Sequence, residues 1–215
     1  MKFQIKREIP FWIILSIPIL YQIYNWSFIP DNIPVHFNLK GEADRYDSKL
    51  SFLIFTIIIS LALYFLLLVV PKIDPKKRIN EMGEKYHYLR FATTFLISFI
   101  LTLTTLNALD EEFKLQPYLG LFFGLLFVLL GNYFRNLKPN YFIGIRTPWT
   151  LENESVWKLT HQFSSILWVI GGTIMLLTHI FSQNEPMSWY INIAIISILT
   201  IVPILYSYLK YRKLN

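Results

Sequence analysis

Apolar residues in this chain gather into six runs: Pro10 to Phe28, Leu50 to Val70, Phe91 to Leu109, Pro117 to Phe134, Phe163 to Phe181 and Trp189 to Leu209. Each is 18 to 21 residues long, close to the roughly 20 residues of helix that a bilayer core requires. No Asp, Glu, Lys or Arg interrupts any run; all 34 of them fall in the connections and tails, as expected where charge in hydrocarbon is costly. The pattern predicts an all-α polytopic membrane protein with six transmembrane helices. Pro18 and Pro203 lie inside the first and last runs, where each is expected to kink its helix. The first run is expected to be retained, because Phe28-Ile29-Pro30-Asp31 offers no small-residue cleavage site.

Composition narrows the class further. Of the 215 residues, 54% are hydrophobic and 16% charged, and the mean hydropathy is +0.43, too apolar for an ordinary soluble domain. An aromatic share of 17% is the opposite of a disordered composition. With no cysteine, disulfide scaffolds, thiolate chemistry and iron–sulfur sites are excluded.

Charge then orients the runs. Sixteen of the 20 basic residues fall in the two tails and in the second and fourth connections; only Lys40, Arg45, Lys49 and Lys114 lie on the other side. By the positive-inside rule both termini are cytoplasmic. The net charge of +6 divides into +10 inside and −4 outside, so the basic balance reads as topology and implies no direct nucleic-acid binding. Three stretches follow. Residues 1–70 form a two-helix unit around a structured outer loop, 29–49; residues 71–134 form a central two-helix unit; residues 135–215 carry an inner loop and the last two helices.

Two connections are rich in side chains that make specific contacts. In the outer loop, Val35-His36-Phe37-Asn38 alternates as a short extended piece would, and Gly41 suits a turn. His36, Glu42, Asp44 and Asp47 are metal ligands by type, but their spacing matches no tight motif and only one imidazole is present. The plainer reading is a compact loop satisfying its own backbone; a third is a recognition surface whose excess acid favours a cationic partner. In the inner loop, Gly144 permits a turn, Arg146 offers a fork of donors, and Thr147-Pro148 is a helix-start signature. Trp149 and Trp157 are expected at headgroup depth, and His161 is the candidate titrating group near the inner interface. This loop reads either as an interfacial elbow, with Arg146 on lipid phosphate or helix carbonyls, or as a partner contact.

Within the runs, Gly120 and Gly124 form a GxxxG and Gly171-Gly172 thins the fifth, both expected to mark close helix packing inside one bundle. His179 is expected at the outer interface. No carboxylate stands at mid-depth, which argues against an ion-coupled transporter. HExxH, GxSxG and Walker motifs are absent, and the expected topology separates His36 from His161. No catalytic residue, metal or cofactor is implied.

The string NYFIGIRTPWTLENESVWKLTHQF, Asn140 to Phe163, closely resembles the signature of the SdpI family of bacterial membrane proteins. The string IPVHFNLKGEADRYDSK, Ile33 to Lys49, looks like the domain of unknown function often found at the start of such proteins. On the inner pattern the resemblance places Gly144, Arg146, Thr147, Pro148, Trp149, Thr150, Leu151, Asn153, Trp157 and His161. On the outer pattern it places Pro34, His36, Asn38, Gly41 and Asp44. It implies a bacterial cell-membrane protein giving immunity to a secreted, membrane-active killing peptide met on the outer side. In the best-known member it also implies a transcriptional repressor held at the inner face. A membrane sensor without immunity, and more remotely a metal-dependent enzyme using the outer loop, are the alternatives.

Overall fold

The helices of the computed structural model follow the apolar runs, and it describes residues 4–38, 43–110, 112–113, 115–181 and 185–214. Seven helices are present among these residues: α1 (Ile5–Tyr24), α2 (Lys49–Ile73), α3 (Glu84–Leu109), α4 (Gln116–Phe134), the short α5 (Pro148–Glu152), α6 (Glu154–Phe181) and α7 (Glu185–Leu214). Helices α2, α3, α4, α6 and α7 are long and apolar enough to cross a membrane, and the chain is a helical membrane protein. Helix α1 differs in composition. It opens on Lys6, Arg7 and Glu8 and stops at Tyr24, where the Asn25 amide donates to the Tyr21 carbonyl at 2.9 Å. Its apolar part, Pro10 to Tyr24, rises only about 22 Å against a hydrocarbon core of about 30 Å.

The all-helical expectation is amended in the first outer loop. Strands β1 (Asn32–Phe37) and β2 (Ala43–Ser48) form an antiparallel hairpin. Its register runs from Asn32↔Ser48 through Pro34↔Tyr46 and His36↔Arg45 to Phe37↔Ala43, with irregularities on either side of His36. Pro34, lacking an N–H, is tolerated because a two-stranded sheet consists of edges.

Contacts divide the chain into two units, neither contiguous in sequence: residues 1–69 with 87–119, and residues 70–86 with 120–215. In the first unit, Ile29 and Ile33 at the root of the hairpin are buried against Phe52 and Ala108. Lys49 fixes the same corner, pairing with Asp31 at 3.0 Å and donating to the Ile29 carbonyl. Polar bonds join the helices of this unit, from Gln22 to Thr56 at 2.9 Å and from Ser98 to the Ile14 carbonyl at 2.5 Å.

In the second unit, α4 and α6 meet through glycine. A Cβ on Gly172 would stand 2.6 Å from the Gly124 carbonyl oxygen and 2.8 Å from the Val128 nitrogen, so the two backbones touch where the glycine pairs predict close packing. Helix α7 is held to α6 by the Trp168 indole donating to the Leu199 carbonyl at 2.9 Å, and by Phe163 stacked on Tyr206.

Candidate functional site

The inner loop folds around one buried asparagine. The Asn140 carbonyl oxygen accepts from the backbone N–H groups of Phe142 (2.9 Å) and Ile143 (2.7 Å), while its amide donates to the carbonyls of Lys138 and Ile143. One side chain thus satisfies a turn's backbone in place of water. Gly144 follows at φ +113°, a region that side chains rarely adopt. A Cβ there would also stand 2.5 Å from His161 Nε2.

His161 and Trp157 lie one turn apart on α6 and face inward. Their rings stack at 4.1 Å, and the Trp157 indole donates to the Leu137 carbonyl at 2.7 Å. Trp157 is fully buried, and its polar edge is spent on a protein carbonyl instead of a lipid headgroup. His161 Nδ1 lies 2.8 Å from the Trp157 carbonyl and Nε2 accepts from the Ile145 N–H at 3.0 Å. A carbonyl on one nitrogen and a donor on the other define the neutral tautomer with the proton on Nδ1.

Thr147 and Thr150 form a reciprocal capping box at the start of α5, with Pro148 at its first position, as the Thr-Pro signature predicts. Asn153 ends α5 and opens α6, its side chain accepting from the Ser155 and Val156 N–H groups. Leu151 packs against the cluster of Phe134, Leu137 and Trp157. Trp149 donates to Ser207 at 2.5 Å, and Tyr211 donates to Glu152 at 3.2 Å, seating α5 on α7. Arg146 is exposed and donates to the Tyr141 carbonyl at 2.6 Å. The Lys138 ammonium, 2.7 Å from Glu81, holds that carboxyl below the usual carboxylate range.

The outer candidates divide differently. His36 and Asp44 meet across the hairpin, Nδ1 to Oδ1 at 2.5 Å, with both side chains largely exposed. The irregular register beside His36 brings Asp44 to it. Pro34 and Asn38 lie on the same strand and its exit, while Gly41 and Glu42 are outside the described residues. Asp47 accepts from the Ser48 N–H, helping to open α2. Among the described residues no three His, Asp or Glu side chains converge as metal ligands would.

Residues 136–207 match the family model described as the SdpI/YfhL protein family. Over that region the chain is similar to the SdpI family. Residues 13–68 match a second model, a domain of unknown function (DUF1648). The Immunity protein SdpI of Bacillus subtilis (strain 168) is 28% identical over 211 residues, which cover 98% of either chain. No solved structure matches the chain. The SdpI region contains the Asn140–His161 brace, and the DUF1648 region contains the hairpin.

One charged pair, Glu8 and Arg90, lies outside both matched regions. The Glu8 carboxylate accepts both Arg90 Nη groups, at 3.2 and 2.8 Å, and the Tyr64 hydroxyl at 3.0 Å. Glu8 and Arg90 are 3% and 1% exposed, so the charges are fully desolvated, and the guanidinium lies over the Phe11 ring at 4.6 Å. Sequence patterning passes over them because Glu8 sits two residues before one apolar run and Arg90 directly before another. There they count as flanking charge. The available signal was an acid among bases at the head of an apolar helix.

Proposed function

We propose that this chain is a membrane immunity protein that protects its cell against a secreted, membrane-active peptide toxin. The observation that carries this reading is the end-to-end likeness to the Immunity protein SdpI, 28% identity across 98% of both chains. In this reading the six apolar runs span the membrane with both termini cytoplasmic, supported by the charge asymmetry of the connections. The outer loop, with Pro34, His36, Asn38, Gly41 and Asp44, faces the toxin. Its fit to that role rests on exposed acid carried by a scaffold that is pinned at its root by Ile29, Ile33 and Lys49. The inner residues, from Gly144 to His161, act by binding and bracing, and the chain works without catalysis.

Expression in toxin-sensitive cells tests the reading. Survival under peptide challenge should exceed that of cells with an empty vector, and Asp44→Asn with His36→Ala should lower it without loss of protein. Equal killing at confirmed expression would sink immunity to that peptide.

A second reading adds signalling, in which a transcriptional repressor is held at the inner face. The exposed Arg146, whose guanidinium donates to the Tyr141 carbonyl at 2.6 Å and has donors to spare, favours it. Arg146→Ala and Trp149→Ala should then abolish membrane recruitment of the repressor while protection survives.

A further inference from the structure

A cavity of about 280 Å³ opens where α4 ends and α6 begins, with Arg135, Lys138, Lys158, Glu154, Gln162 and Trp157 in its wall. Three cations there face one carboxylate. Lys138 is engaged by Glu81, and Glu154 stands 3.9 Å from Arg78. Arg135 and Lys158 have no ion-pair partner among the described residues, and Gln162 has no hydrogen-bond partner there. Both His161 nitrogens and the Trp157 indole are committed within the brace. The donors left to a ligand are therefore two cations and the primary amides of Asn136 and Gln162. A concave wall with uncompensated positive charge concentrates anions, and the guanidinium fork suits a phosphate's paired oxygens.

Depth narrows the source. Arg135 directly follows Phe134, the last residue of α4, and Gln162 directly precedes Phe163, where the next apolar run begins. Both helices leave the hydrocarbon at the level of this cavity, which is where headgroup phosphates lie. Basic pockets between membrane helices bind such groups, and Leu137, Pro139 and Trp157 give the wall an apolar part suited to a glycerol or acyl segment.

We propose that this cavity binds a phosphate-bearing anion, supplied at this depth by the headgroup of an anionic phospholipid. The site is independent of toxin protection and is tested without it. Full-length protein in phosphatidylcholine nanodiscs is titrated with phosphatidylglycerol, and separately with inorganic phosphate. Bound anion is read by native mass spectrometry. Wild type should retain phosphatidylglycerol saturably. The Arg135→Gln, Lys158→Gln double variant should bind about tenfold more weakly or worse, as expected for removing two cations near a phosphate. Charge removed elsewhere, by Arg212→Gln with Lys213→Gln, should change affinity by less than about twofold. The charge-preserving Arg135→Lys, Lys158→Arg variant should keep most of the binding, which separates ligand loss from misfolding. Binding of inorganic phosphate with no advantage for the lipid would keep the anion site and assign its source to the free ion. Equal affinity in the wild-type and doubly neutralised proteins, or binding of neither phosphate species, would overturn it.

Discussion

At the scale of single residues, the largest energies sit in two places. The Glu8–Arg90 pair is bidentate, buried and reinforced by Tyr64, so removing one partner strands a charge in a desolvated site. Arg90→Met or Glu8→Leu alone should lower stability by about 3–5 kcal/mol, and the two together should recover much of the loss. Reversible unfolding in mixed detergent and SDS micelles, run as a double-mutant cycle, measures this. Additive losses would show that the pair is not coupled. Gly144→Ala combines a positive φ with a collision at the His161 ring, and should lose about 1–3 kcal/mol in the same titration. Gly83 has φ +52° and open space around its missing Cβ. Gly83→Ala therefore carries the backbone strain without a collision, and the difference between the two variants reports the contacts with His161 and Leu137.

Elements show where pattern was informative and where it was not. The runs behind α2, α3, α4, α6 and α7 were legible because each keeps charge out for its whole length. The glycines that bring α4 against α6 were legible from their spacing. Gly172→Leu should separate those helices and lower stability by about 1–3 kcal/mol, through overpacking against backbone. Ile166→Ala, at a position 64% exposed, should cost far less in the same assay. The hairpin was half legible. Val35 to Asn38 alternates, but its partner strand reads ADRYDS and is almost entirely exposed, so no apolar pattern marks it. The end of α1 was hidden because Trp26 and Phe28 continue the apolar run past the Asn25 cap. The break between α5 and α6 at Asn153 was likewise masked by helical spacing on either side.

At the scale of the whole molecule, the inner motif was legible as a string but its chemistry was not. Spacing can put Trp157 and His161 on one helical face; it cannot say that both turn inward, toward carbonyls supplied by Leu137 and by α6 itself. Nor can it pair Glu8 with Arg90 across 82 residues. That separation bears on biogenesis. At about 5–20 residues per second, roughly 4–16 s of synthesis pass between the two. Through that interval Glu8 heads an apolar helix while Arg90, the partner it takes in the folded protein, is not yet made. The amino-terminal helix should therefore reach its final seat only after the third has been translated. Arrested nascent chains ending before residue 90 should expose Glu8 to a water-soluble carbodiimide, whereas chains extended past residue 119 should protect it. Equal labelling of both would mean that the first helix settles without waiting for its counter-ion.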